Sequence, residues 1–252
     1  MPRTRIALLT VLAMLAFAGN SLLCRLALRG GVIDAATFTL VRVVSAALVL
    51  WMIVRVRNGP QGIAGNWYSA FALFAYACGF SFAYVALSAG TGALLLFGAV
   101  QATMIGYGLW AGERLRTRQW VGLAFALGGL TWLVLPGVSA PPLRSSLLML
   151  SAGAAWGIYS LRGRRAGDPT TTTAGNFMRA VPFAAATSAL AFGQFSFEAS
   201  GAIYAMLSGA LTSGIGYVLW YAALRELRAA TAIGPRNSIV PTVPSGSRSI
   251  AK

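Results

Sequence analysis

The sequence predicts an all-α membrane protein of about eight transmembrane helices. Three observations carry this. The 252 residues are 57% hydrophobic and only 10% charged, where soluble domains sit near a quarter charged. Apolar stretches of roughly 18 residues or more, the length that spans a bilayer, recur along the whole chain. The arginines that interrupt them fall mainly in alternate connectors, as membrane topology requires.

The first stretch, about 6–28, follows Arg3 and Arg5. That flank and Ala16-Phe17-Ala18 resemble a cleavable signal. The segment is nevertheless expected to stay as a first span, because it has a counterpart later in the chain. Stretches at 35–55, 67–88, 91–112, 119–136, 144–162, 174–193 and 200–223 follow, with connectors too short to hold a soluble domain. With the N-terminus in the cytoplasm, one side collects Arg3, Arg5, Arg55, Arg57, Arg114, Arg116, Arg118, Arg162, Arg164, Arg165, Arg225 and Arg228. The other side holds Arg25, Arg29 and Arg144. The net charge of +15 is therefore topological, and nucleic acid is not an expected partner. Cys24 and Cys78 lie in apolar helix and read as packed free thiols.

The chain repeats itself. "FAGNSLLCRLA" (17–27) lies over "WGIYSLRGRRA" (156–166) at a shift of 139, matching Ser21 to Ser160 and Arg25 to Arg164. At a shift of 137, Arg42 meets Arg179, and "GFSFAYVAL" (79–87) lies over "GYVLWYAAL" (216–224), matching Tyr84 to Tyr221. A first unit of five spans puts the second copy upside down in the membrane. Such inverted repeats are a transporter architecture with the substrate site between the halves. The expected organisation is residues 1–136 as the first unit of five helices, 137–233 as a partial second unit of three, and 234–252 as a polar, disordered cytoplasmic tail. By the repeat, the second unit should run to about residue 273, whereas the sequence ends at Lys252. The last nineteen residues hold Pro235, Pro241 and Pro244, which break helices. The expectation is an inverted five-plus-five helix repeat that lacks its last two helices.

An early "FAGNSLLCRLAL", then "FTLVRVVSAALVL" (38–50), the run from Phe82 to Leu135 with its Gly112-Glu113-Arg114, and "AAWGIYSL" (154–161) together resemble the EamA-type drug/metabolite transporters. The resemblance covers about 17–231. It implies ten helices in two inverted repeats, and export of small metabolites such as amino acids across the bacterial inner membrane. Where that family often has a proline in the fourth helix, this chain has Gly98 and Gln101.

Chemistry is constrained by absences. The sequence has no histidine and five acids, Asp34, Glu113, Asp168, Glu198 and Glu226, all read at helix ends or connectors. A carboxylate proton relay through the membrane is therefore not expected, and no phosphate-cradling GxxxxGK[ST] points to ATP. Neither a cofactor nor a metal is expected, and an enzyme is not. A small-molecule substrate and the bilayer are the expected partners, with a homodimer or a completing membrane subunit left open.

Arg42 and Arg179 stand inside helices two and seven. They read as a carboxylate contact at each mouth of the path, or as arginines that snorkel or hold backbone carbonyls. Asn20 and Ser21 can bond substrate or glue helices. Gln101 reads as a buried amide in need of partners, supplied by substrate or by a neighbouring helix. Phe80 with Tyr84, and Tyr217 with Tyr221, share helix faces at a spacing of four. With Trp156 and Tyr159 they are candidates to line an apolar cavity, or ordinary packing.

Overall fold

The computed structural model describes residues 3–59, 63–112, 114, 117–134, 141–163 and 167–232. The polar tail at 234–252, Glu113, Arg116, Arg164 and Arg165 lie outside the described residues, as do the side chains of Arg225, Glu226 and Arg228.

The polypeptide is a bundle of long helices: α1 (Arg3–Arg29), α2 (Ala35–Asn58), α3 (Trp67–Tyr84), α4 (Ala89–Trp110), α5 (Thr117–Val134), α6 (Leu143–Gly163), α7 (Pro169–Leu190), α8 (Ala199–Leu207) and α9 (Gly216–Ala232). α8 and α9 are joined without interruption by a π-helical segment, Ser208–Ile215. The eight rods thus match the eight apolar stretches. The segments Thr4–Arg29, Ala35–Asn58, Ala89–Trp110 and Ala199–Leu224 are long and apolar enough to cross a membrane by length and composition. The remaining rods are shorter or diluted by polar groups. α7 is the clearest case, with four consecutive threonines, Asn176 and Arg179.

Local chemistry sets the helix starts. Asp34 caps α2 by accepting from the amides of Ala36 and Thr37 at 3.0 and 2.9 Å. Asn66 caps α3 through Ser69 N–H, Ser88 caps α4 through Thr91 N–H, and Asp168 caps α7 through Thr171 N–H. Each side-chain oxygen satisfies an amide that the first helical turn leaves without a partner. Asp168 with Pro169 behind it starts α7 five residues before the apolar stretch begins, because proline at the first helical position is preorganised for the helix. α1 is one unbroken helix packed against α8, the π-helical segment and α9.

The helices pack in matched pairs. α2 lies against α7 at the centre; α3 packs on α6 and α7, as α8 and α9 with their π-helical link pack on α1 and α2. The two ends are latched by matching turns. At one end the α1–α2 turn meets the α7–α8 turn: Asp34 N–H donates to Ser196 O at 3.0 Å and Glu198 N–H to Val32 O at 2.8 Å, around a bridge between Ile33 and Phe197. At the other, the α2–α3 segment meets α7: Asn66 N–H donates to Asn176 Oδ1 at 3.0 Å, and Asn58 Nδ2 to Thr171 Oγ1 at 3.1 Å. Gly175 is obligatory there, since a Cβ would run into the Ala64 carbonyl. α4 sits on α6 because Gly153 and Gly157 leave room for it; a Cβ on Gly153 would be 2.6 Å from Leu96 O. The small-xxx-small pair therefore works within the bundle.

Candidate functional site

The residues that matter converge where α1, α2, α3 and the π-helical segment meet. Arg42 is the eighth residue of α2 and is 1% exposed. Its Nη2 donates to the Tyr76 hydroxyl at 3.0 Å and its Nε to Ser213 Oγ at 3.4 Å. The guanidinium lies over the Phe80 and Tyr76 rings, 4.9 and 5.3 Å from their centroids, in the geometry of cation–π attraction. Its Nη1 has no partner among the described residues. From α1, Asn20 Oδ1 accepts from Ser208 Oγ at 2.7 Å and from Thr212 Oγ1 at 3.2 Å, and its Nδ2 reaches the Tyr76 hydroxyl at 3.5 Å.

The π-helical segment explains how one stretch serves both. Widening the helix turns Ser208 and Thr212 toward Asn20 and Ser213 toward Arg42, and such bulges recur at functional sites. Gly209 lets the segment approach α2: a Cβ there would strike the Arg42 carbonyl. The repeat adds meaning. The shift of 137 that relates Arg42 to Arg179 also relates Tyr76 to Ser213 and Phe80 to Tyr217. Arg42 therefore bonds two groups at positions that the sequence repeat relates.

Two cavities lie on the side of this cluster nearer the N-terminus of α1. One, of about 610 Å³, is walled mainly by aromatic and apolar groups including Phe17, Phe97, Trp156, Tyr217 and Trp220. The other, of about 670 Å³, is more polar and includes Asn66, Ser69, Arg162, Thr172 and Asn176. Tyr221 belongs to both walls. Trp156 stacks on Tyr76, with centroids 5.4 Å apart, which puts the aromatic wall against the buried centre. Tyr217 is buried one helical turn beyond Ser213, and has a hydroxyl without a partner among the described residues.

The structure treats the candidates read from sequence unequally. Asn20, Arg42 and Phe80 meet in the centre, while Trp156, Tyr217 and Tyr221 line cavity wall. Ser21 is buried beside the Tyr84 phenol. Tyr84 packs edge-on to Phe80 at 4.7 Å and donates to Ala89 O at 3.2 Å, filling the space over Gly92. It closes the end opposite the cavities, where Arg25 also holds the carbonyls of Tyr84 and Val85 at 2.9 and 3.0 Å. Tyr159 bonds Thr173 Oγ1 at 3.2 Å and lines the polar cavity.

One expectation is corrected. Gln101 is exposed at the apolar cavity, not a buried amide. α4 turns Leu95, Leu96, Ala99 and Val100 inward, and the next residue is rotated off that face by the helical period. Arg179 takes the second of the two roles read for it, a holder of backbone carbonyls. Its Nη1 holds the carbonyls of Ala64 and Gly175, both at 3.0 Å. The early start of α7 makes it the eleventh residue of its helix, near the α2–α3 segment.

Tyr76, Ser208, Thr212 and Ser213 were not singled out by sequence reasoning. The available signal was "SGALTSG" at 208–214, polar and small residues inside an otherwise apolar span. Among the described residues no group of three or more metal-ligating side chains occurs.

Comparison with known proteins follows the same lines. The model of the EamA-like transporter family matches residues 143–241. Uncharacterized protein PA1977 of Pseudomonas aeruginosa is 56% identical over 230 residues, covering 91% of this chain and 80% of that protein. A solved crystal structure of 17% identity aligns over 90% of this chain and 92% of its own, with a TM-score of 0.48.

Proposed function

The chain belongs to the EamA-like transporter family, and from that premise we propose that it carries small organic metabolites, amino acids among them, by alternating access and without ATP. The observation that carries this reading is the position of Arg42. It bonds Tyr76 and Ser213, equivalent positions of two inverted halves, and inverted-repeat carriers bind their substrates between the halves. The shape supports it. Cavities open toward one end, while Tyr84 and the Asp34–Ser196 latch close the other. Rocking the halves would exchange the open end for the closed one, breaking a few turn-to-turn hydrogen bonds at one latch while the long helix seams stay packed.

In this reading the first unit is residues 1–136 and the second begins at 137. The protein sits in the bacterial inner membrane with N-terminus and tail cytoplasmic, as the arginine distribution favours. The cavities then face the cytoplasm, ready to load an exported solute.

One observation favours a second reading, a subunit completed by another polypeptide. α4 covers α6, whereas Leu8, Val11, Leu15, Leu22 and Leu26 leave one apolar face of α1 exposed among the described residues. Counterflow decides between the two. Purified chain in liposomes preloaded with unlabelled amino acids is expected to accumulate labelled amino acid with no ATP present. Accumulation only after a second polypeptide is added would favour the completed subunit. No accumulation for any solute tested would overturn transport by this chain.

A further inference from the structure

We propose that the buried centre is an anion site that reads a carboxylate: Arg42 Nη1 and the Tyr217 hydroxyl take the two carboxylate oxygens, and cationic solutes are refused. This deepens the transport reading and takes its physiological meaning from it, although the site itself is a claim about binding.

The sign of the site comes from what surrounds Arg42. A guanidinium stays charged in proteins and offers only donors. Its protein partners here are neutral: the Tyr76 and Ser213 hydroxyls and two aromatic faces. The acids whose side chains are described serve elsewhere. Asp34 and Asp168 cap α2 and α7, and Glu198 stands at the start of α8. Asp34 is eight residues before Arg42, about 12 Å along the helix axis. A buried charge without a counter-charge is strongly disfavoured, and inside a membrane such a group marks a functional site. An anionic ligand supplies what the fold withholds.

The geometry supplies two free donors. Arg42 Nη1 and Tyr217 Oη are the buried side-chain atoms without a partner among the described residues, and Tyr217 stands one helical turn beyond Ser213, which Arg42 Nε bonds. A carboxylate accepts from both and forms charge-assisted bonds. An ammonium group accepts from neither. Tyr217 also belongs to the wall of the apolar cavity, so a ligand bound to the pair has its body among Phe17, Trp156 and Trp220. The class of ligand is a small carboxylate with an aromatic or aliphatic body.

Three probes of similar size test this: phenylacetate, L-phenylalanine and phenethylamine, titrated calorimetrically into the purified full chain in nanodiscs. Phenylacetate and phenylalanine are expected to bind. Phenethylamine is expected to stay silent at ten times their concentration. Arg42→Gln should weaken phenylacetate binding at least tenfold, and Tyr217→Phe, which keeps the packed ring, about tenfold. Should Arg42→Gln fail to fold, the native chain still decides. Binding of phenethylamine as tight as phenylacetate, or no binding of either carboxylate, overturns the proposal. Carboxylate binding without counterflow leaves the anion site standing and overturns the transport reading. Counterflow that takes phenethylamine as readily as phenylacetate overturns the site alone.

Discussion

Gly209→Ala probes how the π-helical segment is held against α2. A Cβ at this position would strike the Arg42 carbonyl oxygen and stand 2.8 Å from Ser45 Cβ and 3.0 Å from the Arg42 carbonyl carbon. Carbon atoms settle at about 3.5–4.0 Å, so the helices must part by about 1 Å. The obstacle is backbone, which has no rotamer to escape into. Overpacking of this kind costs about 1–3 kcal/mol, and alanine returns about 0.5–1 kcal/mol as the better helix former. A net loss of about 1–2 kcal/mol should lower the apparent Tm in detergent by about 3–6 °C. Separation of the helices also moves Ser213 from Arg42, so phenylacetate binding should weaken with it. Gly90→Ala is the matched control, a helical position where a Cβ meets nothing within 4 Å, and it should melt at or slightly above the native temperature. A Gly209→Ala chain that melts with the control would refute the close packing of α2 on the π-helical segment.

Other outcomes follow from the same contacts. Tyr217→Phe removes a buried hydroxyl that has no partner among the described residues, so the unliganded protein should gain about 1 kcal/mol and melt higher; a lower Tm would mean that the hydroxyl is bonded in the native state. Asn20→Leu strands the Ser208 hydroxyl, while that of Thr212 keeps its bond to Ser208 O, and should cost about 1–2 kcal/mol, read as a fall in apparent Tm. Arg179→Met releases the Ala64 carbonyl, and hydrogen exchange should speed up at residues 63–66 while the amides around Arg42 hold their protection. Cys24 is fully buried, so N-ethylmaleimide should not label it in the native protein, whereas the denatured chain labels both cysteines.

The sequence by itself determined the class and the rods. Hydrophobic length against bilayer thickness is a one-dimensional constraint, and the eight apolar stretches fall on the eight helical rods within a few residues, apart from the N-terminal start of α7 and the C-terminal end of α9. The bounds moved where side-chain capping intervened: Asp168 and Pro169 extended α7 backward, and Ser88 opened α4 after α3 had ended at Tyr84. The charge inventory was equally local: it put Asp34 and Asp168 at helix ends or connectors, and each caps a helix. Asn20, Arg42 and Tyr217 were legible as polar or aromatic groups in apolar helix.

Only the tertiary structure decided what those groups do. Arg42 and Arg179 look alike in sequence, yet one bonds Tyr76 and Ser213 in the core and the other holds Ala64 at a latch. The direction a helical side chain faces depends on where its helix begins and what packs beside it, and neither is written in the local period. The pairing of Arg42 with Ser213 spans 171 residues. It exists because α2 packs on the π-helical segment and because a π-helical widening rotates Ser213 inward. A hydroxyl on an apolar span acquires a role only when a charge from another helix is buried against it, and that burial is a property of the assembled bundle.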